Sequence, residues 1–161
     1  MERELADVYD LETYQPRKGV GHLLSRVRTE MLDALDQAFS VDEELAKLEL
    51  SAAQFIVIAT LALTEVPKSA SELCRGISYD AGAMTRMIDR LESKGLIHRN
   101  RRPDDRRVVY VELTGEGQRA FPRMRVISMS VMNRFLRGFS QVEARQLEDF
   151  LHRMLENSEA A

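Results

Sequence analysis

The sequence predicts a mainly α fold of the α+β class, with six helices and one β-hairpin. Three observations support this prediction. Apolar residues recur at three- and four-residue steps along most of the chain, helix-capping residues precede these stretches, and the period falls to two only around residues 97–113. With 161 residues, 44% of them hydrophobic, the chain is long enough to bury a core.

Each helix is predicted from a start signal followed by an amphipathic stripe. The first is expected over about residues 17–39, after Pro16, with apolar positions at helical spacing from Val20 to Phe39. The other five are expected to begin after Ser51, Ser69, Asp80, Thr114 and Ser140. Gly95 is expected to end the fourth helix, because glycine enters the left-handed conformation without steric penalty.

The segment between the fourth and fifth helices predicts a hairpin. Residues 97–101 (IHRNR) and 106–113 (RRVVYVEL) flank the turn RPDD, and the second stretch is rich in β-branched residues that alternate in polarity. Three helices followed by a hairpin, where the last helix is short, polar and arginine-bearing, is the winged helix-turn-helix layout. This order favours a DNA-binding lobe.

The fourth helix predicts an outward face suited to a DNA groove. When Met84, Ile88 and Leu91 face inward, small residues such as Ala83 lie at the start of the outward face and Arg86 and Arg90 lie further along it. A guanidinium can bind the O6 and N7 atoms of guanine, and Thr85 can donate to a phosphate or touch a thymine methyl group.

Positive charge is concentrated around this helix and hairpin, in a chain whose net charge is -3. From Met84 to Tyr110 there are eight basic and four acidic residues, so the rest of the chain carries a formal charge of -7. A basic patch on an acidic body is typical of a protein that binds a polyanion with one face. On charge alone, a solvated basic loop is an equal alternative.

Several motifs in this order resemble the multiple antibiotic resistance regulator (MarR) family of bacterial transcription factors, over roughly residues 20–156. The most specific is D-x-R, five residues, then L-T, which here is Asp105, Arg106, Arg107, VVYVE, Leu113 and Thr114. The preceding DRLESKGLI and the following GEG also fit the family. The resemblance implies a winged helix-turn-helix regulator of transcription, with repression as the usual mode.

The resemblance also implies roles for individual residues. Arg107 matches the family's wing arginine, which enters the minor groove, and Asp105 matches the carboxylate that orients it. Arg86 matches the family's major-groove arginine, whereas Ala83 replaces a serine common in the family. From the residues and the resemblance together, the expected DNA-binding residues are Ala83, Thr85, Arg86, Arg90, Arg101, Arg102, Asp105, Arg106 and Arg107.

The first, fifth and sixth predicted helices carry longer apolar stripes than a small winged domain can bury, which favours a two-fold dimer. We expect residues 1–48 to form an N-terminal arm with a helix for dimerisation and ligand binding, 49–115 the DNA-binding lobe, and 116–161 the C-terminal dimerisation helices. Such a dimer would bind a palindrome whose half-sites lie about 10 base pairs apart.

A small-molecule effector is expected because members of the resembled family commonly lose DNA affinity when a small, often aromatic and anionic, ligand binds. Here Tyr14, Arg17, His22 and Arg26 are candidates: an aromatic ring and cations spaced to contact an aromatic carboxylate or phenolic ligand. The alternative is a solvated helix face that pairs with acidic residues of a partner subunit.

Other functions fit the sequence less well. Oxidant sensing through the single cysteine, Cys74, and nonspecific architectural DNA binding are the alternatives within nucleic-acid binding, and a protein-interaction module is a third. No motif indicates catalysis, no cysteine and histidine spacing indicates a metal site, and no cofactor is expected. No stretch predicts a membrane span or a secretory signal, so a cytoplasmic location is expected.

Overall fold

The computed structural model describes residues 7–64, 66–77, 79–101 and 108–160. Within them the chain forms helices α1 to α6, strands β1 to β3 and a short 3₁₀ turn at Ala46–Leu48. The helices are α1 Val20–Ser40, α2 Ala52–Ala62, α3 Ala70–Ile77, α4 Ala81–Ser93, α5 Gly115–Phe135 and α6 Gln141–Glu159. The strands are β1 Lys68–Ser69, β2 Ile97–Arg101 and β3 Val109–Leu113. The predicted mainly α, α+β winged helix-turn-helix fold is confirmed.

Local capping explains why most helices begin where the sequence predicts. Ser51 caps α2, and its hydroxyl accepts a hydrogen bond from the Gln54 N–H at 3.2 Å. The carboxylate of Asp80 accepts from the Ala83 N–H at 2.8 Å to start α4. Helix α1 begins later than predicted, at Val20, after Gly19, which provides no side-chain cap. Arg17 therefore lies before the helix and not within it.

The sheet contains one strand that the sequence analysis missed. Strands β2 and β3 form the predicted antiparallel hairpin, in which Ile97 pairs with Leu113 and Arg101 with Val109. The two-residue strand β1 adds to the outer edge of β3, where Lys68 pairs with Val111. The strand order is β1-β3-β2, so the segment before α3 is tied to the hairpin.

The core lies where the helix-turn-helix packs against the hairpin and α5. Its fully buried side chains include those of Phe39, Leu73, Ile88, Leu96 and Met124. Helix α1 contributes buried residues only near its C-terminal end, and α6 contributes none. Helix α1 therefore joins the core only through its C-terminal end, whereas α6 lies outside the core.

Candidate nucleic-acid interface

Helix α4 has the two faces that the sequence predicts. Met84, Ile88 and Leu91 are buried in the core, while Arg86 and Arg90 are exposed on the opposite side. Neither of these two arginine side chains makes a hydrogen bond or ion pair with another residue in the described ranges, so both remain available to an external anion. The helix begins after its N-cap residue, Asp80, and ends before Gly95, which has a positive φ of +70°.

The outward face of α4 offers less of Ala83 and Thr85 to DNA than the sequence predicts. Ala83 is half-buried and not fully exposed. The Thr85 hydroxyl donates a hydrogen bond to the Ala81 carbonyl at 2.8 Å, so in this rotamer its hydrogen is not free for a phosphate. Of the two contacts considered for Thr85, the one between its methyl group and a thymine fits this geometry better.

A groove runs between the start of α2 and the outward face of α4. Its volume is about 210 Å³, and its walls are Ser51, Ala53, Gln54, Ala83, Arg86, Met87 and Arg90. The sequence predicted that a helix begins after Ser51, but it carried no signal that this helix start borders the outward face of α4. Because the N–H groups at a helix start carry partial positive charge, α2 adds to the attraction that Arg86 and Arg90 exert on an anion.

Two basic residues counted in the patch are used inside the fold. Arg99 on β2 forms ion pairs with Asp89 and Glu92 of α4, and hydrogen bonding to Asp89 raises its pKa. The Lys94 ammonium donates to the Glu49 carbonyl at 2.6 Å and to the Gln54 amide oxygen at 3.2 Å. Partial burial lowers the pKa of Lys94. The positive charge open to a ligand is therefore smaller than the sequence count suggested.

The wing, which is the hairpin of β2 and β3 with its connecting turn, is described only in part. Arg101, at the end of β2, is exposed and has no partner among the described residues. The remaining predicted wing contacts, Arg102, Asp105, Arg106 and Arg107, lie outside the described residues. Their roles stay predictions based on the resemblance.

The predicted ligand residues are partly brought together. Tyr14 lies before α1 with its ring 5.4 Å from that of Tyr9 in an edge-to-face arrangement, and it is 52% exposed. His22 and Arg26 lie one turn apart on α1, while Arg17 lies in the preceding turn. Within the described ranges no residue forms a hydrogen bond or ion pair with the side chains of Arg17, His22 or Arg26.

Cavities larger than the groove beside α4 lie on other parts of the molecule. One of about 430 Å³ is bounded by the end of α2, strand β3 and the start of α5, with Leu61, Glu112 and Phe121 in its wall. Another, of about 450 Å³, lies along α5 near Asn133 and Arg137. Neither of these two cavities has Arg17 or Arg26 in its wall.

Cys74 is a half-buried thiol on α3. In the described ranges no group of three or more His, Cys, Asp or Glu side chains is arranged to hold a metal ion. No helix in the same part of the chain has the length and apolar character needed to cross a bilayer.

The sequence of this chain is similar to those of known regulators of transcription. The family model for the MarR family matches residues 50–109, which contain the helix-turn-helix and the start of the second hairpin strand. The HTH-type transcriptional repressor MdtR of Bacillus subtilis is 31% identical over 124 residues, which are 77% of this chain and 73% of MdtR. The chain spans about half the length of other curated relatives, such as MarR of Escherichia coli, which is 41% identical over 48% of this chain and 53% of that protein.

The fold is also similar to solved structures over most of the chain. A cysteine-to-serine mutant of E. coli MarR, complexed with operator DNA, is 29% identical and has a TM-score of 0.73 over 84% of this chain and 93% of that one. BpsR of Bordetella bronchiseptica, at 24% identity and a TM-score of 0.74 over 88% and 96% of the two chains, shares the fold. The winged helix-turn-helix, the family match at its centre and the extended identity with MdtR lead to one conclusion: this chain belongs to the MarR family of transcriptional regulators.

Proposed function

We propose that the protein is a sequence-specific regulator of transcription, a homodimer that represses genes by binding a palindromic double-stranded operator. The observation that carries this proposal is the outward face of α4, where Arg86 and Arg90 are exposed and unpaired among the described residues. Both lie beside the start of α2 in one groove. An exposed arginine on a short helix with a small-residue start is the arrangement that reads guanine in the major groove.

Repression is proposed because the relative MdtR is named a repressor, and operator binding because E. coli MarR has been crystallised on its operator. The predicted wing residues, Arg101 on β2 with Arg102, Asp105, Arg106 and Arg107 beyond it, would then contact the adjacent backbone and minor groove. Ala83 and Thr85 would lie closest to the base edges.

Selection of DNA by the purified protein from a random pool, followed by sequencing, tests this function. A regulator is expected to enrich one palindrome and to prefer it over random duplex by about a thousandfold or more at physiological salt. An architectural DNA-binding protein would bind with strong salt dependence yet enrich no sequence. A protein-interaction module would show no salt-sensitive DNA binding, and this result would refute both DNA-binding functions.

The dimer is proposed from the apolar side chains that the single chain leaves exposed. They lie on α1, α5 and α6 and include Leu23, Val27, Met129, Phe150 and Leu155. Residues 1–48 and 116–161 would form the dimerisation region and residues 49–115 the DNA-binding lobe. A two-fold dimer places two copies of α4 about one helical turn apart on DNA, which gives half-sites about 10 base pairs apart.

An aromatic carboxylate or phenolic effector is proposed at Tyr14, Arg17, His22 and Arg26. The BpsR structure concerns regulation of its DNA binding by 6-hydroxynicotinic acid, which is an aromatic carboxylate. In this chain two exposed arginines and an aromatic ring precede or begin α1, where guanidinium groups can bind a carboxylate.

Calorimetric titration with benzoic and phenolic acids tests the effector. Binding is expected in the wild type and should weaken in both Arg17→Ala and Arg26→Ala, while Arg28→Ala, which changes a neighbouring α1 arginine outside the proposed set, serves as the control. Absence of heat with every acid, or equal binding by all variants, would refute the site without affecting the DNA-binding function.

A further inference from the structure

Arg99 lies at the middle of β2, and its side chain contacts helix α4. Its guanidinium pairs with the carboxylates of Asp89 and Glu92, which are three residues apart on that helix. The Arg99 backbone N–H also donates to the Glu92 carboxylate at 3.1 Å. Glu92 therefore holds both the backbone and the side chain of the same strand residue.

This geometry fixes the orientation of the strand relative to the helix. A guanidinium is planar and presents its donors in a rigid fork, so binding two carboxylates at once restricts both distance and angle. The Asp89 side chain is 58% exposed and that of Arg99 is 31% exposed, so the cluster lies at the surface, where α4 meets the first wing strand.

The cluster also changes the charge that DNA would meet. Asp89 lies on the outward face of α4, where an unpaired carboxylate would repel phosphate groups. Arg99 balances that charge but, since it is shared between two carboxylates, it has little left for DNA. From its position in an arginine-rich stretch alone, Arg99 would be taken for a DNA contact.

We propose that Arg99 is a positioning residue and not a DNA contact: with Asp89 and Glu92 it fixes the wing, formed by β2 and β3, to α4, the proposed recognition helix, so that both elements meet one duplex in register. This inference rests on the proposed DNA-binding function. It differs from that function's own residue assignments, which place Arg86, Arg90 and Arg101 on the DNA.

The double variant Asp89→Asn/Glu92→Gln separates positioning from simple electrostatics because the two give opposite signs. The variant removes two negative charges and releases Arg99. Electrostatics alone therefore predicts tighter operator binding. Loss of positioning predicts weaker binding, by about three- to tenfold, the scale of one or two partly exposed ion pairs.

Two single variants provide the matched comparison. Arg99→Gln and Arg101→Gln remove the same charge from the same strand, two residues apart. Arg101→Gln is expected to lower the slope of log affinity against log salt by about one unit, as loss of a phosphate contact does. Arg99→Gln is expected to weaken operator binding about as much as the double variant. Adding Arg99→Gln to the double variant should weaken binding no further, because the three residues act as one unit.

Amide hydrogen exchange of the free protein gives a second readout that does not depend on DNA. In Arg99→Gln and in the double variant, amides of β2 should exchange faster while those in the middle of α4 keep their wild-type rates. Tighter operator binding by the double variant, additive losses on combination, or unchanged exchange in β2 would overturn the positioning role. If the wild type and Arg101→Gln bind DNA equally weakly and without sequence preference, the proposed function itself has failed.

Discussion

At the scale of single residues, Gly117 marks the closest approach between α5 and the hairpin base. The Leu96 carbonyl accepts a hydrogen bond from the Thr114 N–H at 3.0 Å. A Cβ atom added at Gly117 would lie 2.2 Å from that same carbonyl oxygen. The Thr114 hydroxyl donates to the Gly95 carbonyl at 2.6 Å, so the end of α4 and the start of α5 are joined over a few residues.

Gly117→Ala is expected to destabilise the fold by about 1 to 3 kcal/mol, because the contacting atom is backbone and cannot rotate away. Urea unfolding measures the change. Gly76→Ala is the control, since an added Cβ in α3 has nothing within 4 Å, and stability there should rise by up to about 1 kcal/mol. Equal stability of Gly117→Ala and wild type would show that α5 can move away from Leu96.

Arg86 is the single side chain on which base recognition is expected to depend most. Arg86→Ala should reduce operator affinity by about 1 to 3 kcal/mol and relax preference at one base position. Affinity for operators substituted at each position in turn measures this. A uniform loss across all substituted operators would mean that Arg86 contacts phosphate and reads no base.

At the scale of elements, the connection between α1 and α2 is tied to α5 by ion pairs of Asp42 and Glu44 with Arg123. Both carboxylate oxygens of Asp42 accept from Arg123, with N–O distances of 2.8 and 2.9 Å to Nε. The Asp42 side chain is only 11% exposed and also accepts from the Leu45 N–H at 3.1 Å. The pairing with Arg123 lowers the pKa of Asp42 from 3.8 to about 2.

This pair predicts a defined pH dependence. Because the pKa of Asp42 is lower in the folded than in the unfolded chain, the pair stabilises the fold above about pH 4, and this contribution is lost as the pH falls towards about 2. Urea midpoints of wild type and Arg123→Gln should therefore differ at neutral pH and converge in acid. Arg119→Gln, which removes a more exposed α5 arginine paired with Glu116, is the control and should show a smaller difference. A constant difference across this pH range would contradict the assignment.

At the scale of the whole molecule, α6 is the helix that the single chain leaves most exposed. None of its residues is buried in the single chain, although Leu147, Phe150, Met154 and Leu155 form one apolar stripe. Exposed apolar area of this extent is typical of an association surface. A second copy of the chain, related by a two-fold axis, would cover it together with the apolar side of α1.

Phe150→Glu is expected to convert the proposed dimer to a monomer, because a carboxylate would replace a ring that is 54% exposed in the single chain and that the proposed dimer would cover. Sedimentation velocity measures the mass. Arg145→Glu is the control, since it changes charge on the opposite face of α6 and should leave the mass unchanged. The monomer is also expected to lose most operator affinity, since each half-site would be bound alone.

Local sequence signals were enough to predict the six helices, the hairpin and the family, with only the start of α1 misplaced. Helix starts depend on contacts between residues three positions apart, as Ser140 and Glu143 show in α6, and these contacts can be read from short stretches. The inward side of α4 follows from its period in the same way. The motif that ends at Leu113 and Thr114, together with DRLESKGLI before it and GEG after it, indicated the family.

Only the tertiary structure decided which charges are free and which backbone segments meet. Arg99 and Arg101 look alike in the sequence, yet Arg99 is paired with α4 and Arg101 is exposed. The two-residue strand β1 is too short to show any alternation, and it exists because β3 offers an open edge. Pairings between elements depend on how the helices and strands pack, and packing brings together residues whose separation along the chain carries no signal.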